Sequence, residues 1–483
     1  MRLLAGLFVV TIVVALIVTA GLSEAARGPH RTHRHAGDPT RRASTALKGT
    51  AAPHLEATAA TSPIVRPLAL AANTLVTTTL QRRILAALQT AGFAGAGSAV
   101  CIYDLSSDRL LLARDSATLL RPASNEKLLT SATALARWGP AHRFTTDLYG
   151  VGNLAPNGAF RGSLYLKGYG DPSLSTTAYN RSVLHLRSAR LEDFVWALRR
   201  GGVKRLDGHI VGDASYFDAL RAVASWHADE LDDCGPLSAL SLDEGLNARG
   251  RPVTDPALDA AATLTALLRR AHIAVSGAAS TGITPPKATL LCEDRSAPLS
   301  VILASMNRRS DDFFAEMITK GLGAAFAGSG STAAGVRLER AYVRAEGIDP
   351  DGLVVADGSG LSYADRERSA DLVRLLATEA HSSQWPIFYG SLAVAGESGT
   401  LADRMRDTPA QGDLHAKTGT LEVASCLSGY VTAANGHLLA FSVLINSDSL
   451  DLAAAWQAQD AIGVALARSR PGGRIVWTSP AGA

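Results

Sequence analysis

Pro122-Ala-Ser-Asn-Glu-Lys-Leu-Leu-Thr130 is the segment from which the architecture of this chain is most readily inferred. Apolar residues recur after it at helical spacing, and Gly139-Pro140 ends the run, which predicts a helix over residues 126–138. Ser124 then stands at the N-terminus of the helix, and Lys127 lies one turn further along the same face. An amine placed beside a serine hydroxyl can accept its proton, so this pair is a candidate nucleophile and base.

A second string, Lys417-Thr-Gly-Thr420, precedes two strand-forming runs, 424–432 and 437–446, which Asn435-Gly436 separates. Asn-Gly between such runs is the strongest short signal for a β-hairpin, so the string is expected on a neighbouring strand. Gly419 within a strand is typical of a close approach by another backbone or a ligand. We expect Lys417 to meet a substrate carboxylate and the N–H of Thr420 to donate to an oxyanion.

The third string, Ser305-Met306-Asn307, falls in or between helices in the segment 298–323. Ser305 could relay a proton between Lys127 and a leaving amine, and the Asn307 amide could hold a substrate carbonyl. Each string alone is usually a helix cap or a turn entry. The order and spacing of all three make chance a poor explanation.

In this order the strings resemble the catalytic set of penicillin-binding proteins and serine β-lactamases. Further strings narrow the resemblance to the D-alanyl-D-alanine carboxypeptidases of the peptidase S13 family: 164–172, 208–213, 306–311, 357–362 and 394–401. The resemblance covers roughly residues 78–466. It implies Ser124 as acylated nucleophile, Lys127 as general base, and Ser305 with Asn307 as the second catalytic element. It also implies a substrate-binding set of Lys417, Thr418, Gly419 and Thr420.

The resemblance implies an α+β fold, with a penicillin-binding or β-lactamase-like domain over residues 78–145 and 291–470. That domain would hold an antiparallel sheet flanked by helices, together with a helical portion. A smaller α/β domain is expected as an insertion over 146–290, and a tail over 471–483. The interval from Ser124 to Ser305 is shorter than in the best-known members. The loop after Ser362 also departs from the family pattern, because Tyr363-Ala-Asp-Arg366 replaces the usual Arg and then Asn.

The function implied is an exported serine D-Ala-D-Ala carboxypeptidase, with or without endopeptidase activity, that trims peptidoglycan stem peptides through an acyl-enzyme. β-Lactams such as penicillin would then act as inhibitors. A serine β-lactamase is disfavoured because Glu244-Gly-Leu-Asn247 is too short for the deacylating glutamate string and precedes Ser305. An esterase on the same fold usually carries tyrosine in the second string. A non-catalytic module that binds penicillin or cell wall remains as an alternative from another class.

The N-terminal segment indicates export. Residues 1–25 are expected to be a signal peptide or a membrane anchor, because residues 3–22 are apolar and uncharged and small residues follow. Membrane attachment through 3–22 is therefore one outcome, and cleavage after Ala25 is the other. Residues 26–77 are rich in Arg, His, Thr, Ala and Pro, which predicts a disordered linker.

Composition restricts the remaining possibilities. A chain of 483 residues is long enough for two folded units and a tail. A net charge of +3 gives no support for nucleic-acid binding. No spacing resembles a metal site, and neither a metal nor a cofactor is predicted. An exported chain could pair Cys234 with Cys292, which the sequence leaves open, and Cys101 and Cys426 are interpreted as inert buried thiols.

Overall fold

The computed structural model describes residues 78–95, 97–227, 230 and 233–472. The predicted signal peptide or anchor, the predicted linker and the C-terminal tail from residue 473 onward lie outside the described residues. None of the helices in the described part of the chain combines the length and apolar composition needed to cross a bilayer.

The helices and strands follow one another along the whole described chain. The helices are α1 (Thr79–Thr90), α2 (Glu126–Trp138), α3 (Thr177–Tyr179), α4 (Leu191–Arg200), α5 (Pro256–Arg270), α6 (Leu299–Arg309), α7 (Asp312–Ala327), α8 (Thr332–Ala345), α9 (Ser369–His381), α10 (Trp385–Ser391) and α11 (Leu452–Ala467). The strands are β1 (Ser98–Asp104), β2 (Arg109–Arg114), β3 (Thr145–Leu154), β4 (Ala159–Gly168), β5 (Arg205–Asp207), β6 (Ile210–Asp213), β7 (Ala274–Val275), β8 (Ser280–Thr281), β9 (Thr289–Arg295), β10 (Ala393–Val394), β11 (Leu414–Leu421), β12 (Ala424–Thr432) and β13 (Leu438–Asn446). The predicted helix over 126–138 and the predicted hairpin are both confirmed.

The larger domain is built on a sheet with the strand order β10-β11-β12-β13-β1-β2, in which every neighbouring pair is antiparallel. The two ends of the described chain meet where β1 pairs with β13, from Ser98 opposite Ile445 to Asp104 opposite Leu439. This arrangement confirms the expected antiparallel sheet. It also brings the segment that carries Ser124, which follows β2, close to the strand that carries Lys417.

Helices cover both faces of this sheet because side chains alternate along each strand. Val100 and Ile102 of β1 face a core shared with α1 and α11. Cys101 and Tyr103 face the opposite core, which α2, α6, α7 and α9 complete. Helix α2 is buried over most of its length, from Glu126 to Leu135. Packing on one face of the sheet therefore fixes the helix that follows Ser124.

A second sheet forms between β3 and β9, with the order β7-β5-β4-β3-β9 and with β6 and β8 attached beside β4. Its pairs are mixed, since β3 runs antiparallel to β4 and β9, whereas β5 and β6 run parallel to β4. Helices α4 and α5 pack against it around Phe194 and Leu264. Mixed strands with helices agree with an α/β insertion, and the boundaries 146–290 stay a prediction.

The segment 298–323, expected to be helical, contains a break. Helix α6 ends at Arg309, and Ser310 adopts the left-handed conformation with φ 60° and ψ 42°. Asp311 then caps α7, because its side chain accepts a hydrogen bond of 2.9 Å from the N–H of Phe314. Aspartate is among the residues that best satisfy the free N–H groups of a helix start. Residues 310–312 therefore form a sharp corner between two helices.

The four cysteines are free thiols. Cys234 belongs to the core around α2 and α7, whereas Cys292 packs against the core of the second sheet. A Cys234–Cys292 bridge is therefore absent, because the two thiols lie in different cores. Cys101 and Cys426 are buried as expected, and burial raises the pKa of each thiol to about 12.

Candidate active site

Ser124 lies in a single 3-10 turn, Ala123–Asn125, that leads into α2. Ala123 is held at φ 48°, and Gly360 approaches its carbonyl so closely that a Cβ on residue 360 would lie 2.0 Å from that oxygen. Only glycine permits this approach without displacing the turn. The turn carrying the predicted nucleophile is therefore fixed from outside its own helix.

Lys127 is fully buried, and its amine contacts three oxygen atoms. Nζ donates to Ser124 Oγ at 2.9 Å, to Asp312 Oδ1 at 2.5 Å and to the carbonyl of Ser359 at 2.6 Å. An ammonium group donates up to three hydrogen bonds and has no lone pair with which to accept one. The three partners therefore match the donor capacity of a protonated lysine.

The loop 357–362 supplies the Ser359 carbonyl and is held by buried carboxylates. Glu316 of α7 accepts from the N–H groups of Gly358 (2.9 Å) and Ser359 (2.8 Å). Asp357 accepts from the N–H of Gly360 at 2.7 Å and from that of Ser362 at 2.8 Å. With its N–H groups fixed in this way, the loop presents one carbonyl to Lys127.

Lys417 enters the same region from β11 and is also fully buried. Its Nζ donates to Ser310 Oγ at 2.7 Å and to the carbonyl of Thr418 at 2.8 Å. Burial, together with the positive charge of Lys127, holds the pKa of Lys417 well below its usual range, and Asp312 opposes this shift. Lys417 is thus a buried amine held against the helix corner at Ser310.

Strand β11 borders the cleft with a partly uncovered edge. Strand β10 pairs with it only at His415 and Ala416, so the edge beyond them is not covered by β10. A Cβ on Gly419 would lie 2.8 Å from the Pro122 carbonyl, which agrees with the close approach expected for this glycine. Thr418 Oγ1 donates to Thr400 Oγ1 at 2.8 Å. The strand therefore lies directly against the turn that carries Ser124.

A cleft of about 450 Å³ opens above these groups. It is lined by hydroxyl, carboxyl and apolar side chains: Ser124, Glu230, Asp233, Ser310, Asp312, Leu361, Tyr363, Thr400, Thr418, Thr420, Leu421 and Glu422. The structure thus brings Ser124, Thr418 and Thr420 to the wall of one cleft. Lys127 and Lys417 lie beneath it, bonded to two of its lining serines.

The structure does not bring Ser305 and Asn307 to this cleft, so their predicted location is wrong. Ser305 lies within α6, and Asn307 is buried, where Nδ2 donates to Ser131 Oγ at 3.0 Å and to Ser391 Oγ at 2.9 Å. Helix α6 continues through both residues and ends at Arg309, and the chain turns towards the cleft only at Ser310. A signal for the break existed, since Asp311 is a favoured helix cap.

Ser310 and Asp312 occupy the place expected for Ser305 and Asn307. Asp312 forms an ion pair with Lys127, and its side chain is 16% exposed. Burial raises the pKa of Asp312, and the neighbouring Lys127 opposes that shift. The second string of this chain is therefore Ser310-Asp311-Asp312, with a carboxyl where the expected pattern has an amide.

Two other predicted features lie near the cleft. Tyr363 of the divergent loop lines it, with its ring centroid 4.7 Å from that of His227 and 5.4 Å from the Arg121 guanidinium. Glu244 instead borders a neighbouring cavity of about 240 Å³ and pairs with Arg309 at 3.3 Å. Within the described residues, no group of three or more His, Cys, Asp or Glu side chains is placed to hold a metal ion.

Comparison with known proteins gives the same family as the sequence strings. The sequence model of the D-Ala-D-Ala carboxypeptidase 3 (S13) family matches residues 80–249 and 246–469. A D-alanyl-D-alanine carboxypeptidase of Actinomadura sp. (strain R39) is 31% identical, over 81% of this chain and 85% of the relative. Carboxypeptidase DacB of Mycolicibacterium smegmatis is 29% identical, over 68% of this chain and 72% of the relative.

The fold has a solved counterpart. Penicillin binding protein 4 (dacB) from Haemophilus influenzae superposes with a TM-score of 0.67 at 20% identity, covering 78% of this chain and 98% of that one. At that identity the match supports the fold, whereas the family model and the Actinomadura relative identify the lineage. The chain belongs to the D-Ala-D-Ala carboxypeptidase 3 (S13) family.

Proposed function

We propose that this chain is a serine D-Ala-D-Ala carboxypeptidase that works through an acyl-enzyme on Ser124. The observation that carries the proposal is the 2.9 Å contact between Ser124 Oγ and Lys127 Nζ, at a cleft that Ser310 also lines. Membership of the S13 family and the name of the Actinomadura relative support the same substrate class.

In the acylation step, Ser124 Oγ attacks the carbonyl carbon of the penultimate D-alanine. The serine proton passes to the neutral amine of Lys127, because a hydroxyl needs a base to become an effective nucleophile. The bond to the terminal D-alanine then breaks, and its nitrogen takes up a proton. Ser310, which Lys417 holds at 2.7 Å, is proposed to relay that proton in the role predicted for Ser305.

Substrate binding uses the uncovered edge of β11. An extended stem peptide would add alongside residues 417–421, and the N–H groups of Ser124 and Thr420 would donate to the oxyanion. The terminal carboxylate would lie near Lys417 and Thr418, where a buried cation and a hydroxyl favour an anion. A final attack by water releases the shortened peptide.

β-Lactams are proposed to acylate the same serine. One solved relative, penicillin binding protein 4 from Haemophilus influenzae, has been crystallised with a β-lactam. Because peptidoglycan lies outside the cytoplasm, the proposed substrate implies that the enzyme acts in the cell envelope. Attachment to the membrane through residues 3–22 and cleavage after Ala25 are alternative modes of reaching it.

The test is release of D-alanine by the purified full chain from diacetyl-Lys-D-Ala-D-Ala, together with intact mass after incubation with penicillin. We expect D-alanine release and a stable adduct of one penicillin per chain, both lost in Ser124→Ala. A long-lived adduct without D-alanine release would instead identify a non-catalytic binding module. Rapid turnover of penicillin would identify a β-lactamase, and an adduct on Ser124→Ala protein would show that the nucleophile is another residue.

A further inference from the structure

Asp312 differs chemically from the group that the family pattern places beside the nucleophile. The expected Ser-x-Asn string ends in an amide, which is neutral and can both donate and accept hydrogen bonds. This chain has Ser310-Asp311-Asp312 at the cleft, and Asp312 Oδ1 lies 2.5 Å from Lys127 Nζ. A charge thus stands where a neutral group is expected, in direct contact with the proposed base.

The contacts of Lys127 are those of an ammonium. Ser359 offers a carbonyl and Asp312 a carboxylate oxygen, so two N–H groups of Lys127 have fixed acceptors. A third hydrogen then points at Ser124 Oγ, 2.9 Å away. In that state Lys127 donates to Ser124 and has no lone pair with which to accept its proton.

Removal of one proton reverses the direction of the contact with Ser124. The neutral amine keeps its two bonds to Ser359 and Asp312, and its lone pair then faces the serine hydroxyl. The geometry suits both states, so their relative free energy decides how much reactive enzyme exists at a given pH. A negative charge within about 4–6 Å favours the protonated state of a cation.

Other titratable groups lie near the pair on several of the elements that pack against it. A positive charge on Lys417 of β11 disfavours the protonated form of Lys127, whereas the nearby carboxylates favour it. The acidic and thiol groups nearby are Asp311 before α7, Glu316 on α7, Glu339 on α8, Asp357 on the loop 357–362, Glu230, Asp233, Cys234, and Glu244 beyond Arg309. Asp311 is engaged by Arg309 at 3.1 Å and by the N–H of Phe314. Asp312 is the carboxylate bonded directly to Nζ.

We propose that Asp312 is a positioning residue that stabilises the ammonium form of Lys127 and so moves the acylation of Ser124 to higher pH. The inference rests on the proposed function, since it concerns the base of that reaction. It predicts an enzyme whose acylation rate rises steeply as the medium becomes alkaline. With asparagine at position 312, the amine of Lys127 would be neutral, and so able to act as the base, at lower pH.

The test is Asp312→Asn, which keeps an oxygen that accepts from Lys127 and removes the charge. The second-order rate of acylation by a fluorescent penicillin would be measured from pH 5 to pH 10 on the full chain. We expect the rising limb of the variant to lie about one pH unit or more below that of the parent, so that acylation on the limb is roughly tenfold or more faster. Asp312→Ser, which also removes the charge, should show the same displacement if the amide variant folds poorly.

Asp311→Asn is the matched control. It makes the same change of charge one residue away and keeps a good helix cap. Because Asp311 is paired with Arg309 rather than with Lys127, the rising limb of this variant should move much less than that of Asp312→Asn. The inference would be overturned if the rate of acylation rose at the same pH in the parent and in both Asp312 variants. This holds even if Asp312→Asn raised the rate equally at every pH. Absence of any adduct in the parent and the variants across the whole range would instead overturn the proposed function.

Discussion

Lys417 Nζ lies 2.7 Å from Ser310 Oγ, although 107 residues separate the two along the chain. The contact joins the strand β11 to the corner between α6 and α7. It identifies Ser310, and not Ser305, as the hydroxyl that completes the cleft beside Ser124. The proposed catalytic arrangement therefore depends on where α6 ends.

Replacement of Ser310 by alanine should slow acylation by roughly 10²–10⁴-fold, the range typical for loss of a positioned acid–base group. Acylation by labelled penicillin, followed by stopped flow, measures this effect. Ser305→Ala is the matched control, because that residue lies five positions earlier within α6, and its rate should equal that of the parent. A comparable loss in Ser305→Ala would contradict the assignment of Ser310.

Binding of the substrate carboxylate should weaken as the pH rises. The pKa of Lys417 is held well below its usual range by burial and by Lys127, so its positive charge is present at low pH and is lost at a lower pH than for an exposed lysine. The KM for diacetyl-Lys-D-Ala-D-Ala should therefore rise on the alkaline side, and kcat should follow a separate profile. The same peptide with a C-terminal amide lacks the charge and should show no such rise. If KM changed with pH in the same way for both peptides, Lys417 would not be the group that binds the substrate carboxylate.

Gly419→Ala should impair acylation without unfolding the protein. The added Cβ would lie 2.8 Å from Asn125 Nδ2 and from the Pro122 carbonyl, so β11 and the nucleophile turn must move apart. Displacement of a reacting group by about 1 Å can cost on the order of 10²-fold in rate. Gly390→Ala on α10 is the control, because a Cβ there meets no atom within 4 Å. Equal acylation rates in the two variants would show that the close approach at Gly419 does not position Ser124.

Glu339 should lower the free energy of unfolding as the pH rises from about 4.5 to about 7. Burial raises the pKa of this carboxyl from 4.5 to about 7, so across that window the unfolded chain releases a proton that the folded chain retains. Folding is therefore favoured below pH 4.5, and the contribution is lost once the pH exceeds about 7. A difference of 2.5 pH units, 7 − 4.5, corresponds to a loss on the order of 3 kcal/mol.

Urea unfolding of Glu339→Gln at several pH values tests this contribution. The glutamine cannot ionise, so the variant should lose less stability than the parent over the same window. Asp403→Asn is the control for removal of a carboxylate at the surface, because the Asp403 side chain is 86% exposed. An identical slope in the parent and in Glu339→Gln would show that Glu339 titrates normally in the folded protein.

Much of the site follows from the sequence because it depends on local order. Helical periodicity and the Gly139-Pro140 stop give α2 its bounds, and these place Ser124 and Lys127 one turn apart. The Asn435-Gly436 turn gives the β12–β13 hairpin, and Lys417-Thr-Gly-Thr420 then falls on the adjoining strand. Such features require only hydrogen bonds and side-chain patterns between residues near one another in sequence.

What depended on the tertiary structure was the choice of partners between distant segments. Ser305 and Ser310 lie five residues apart, and only the left-handed conformation of Ser310 turns one of them into the cleft. Lys127 and Asp312 are 185 residues apart, so their ion pair exists only because α2 and α7 pack in one core. Residue patterns along a chain determine which elements form, whereas packing determines which side chains meet, since contacts between distant segments leave no periodic trace in the sequence.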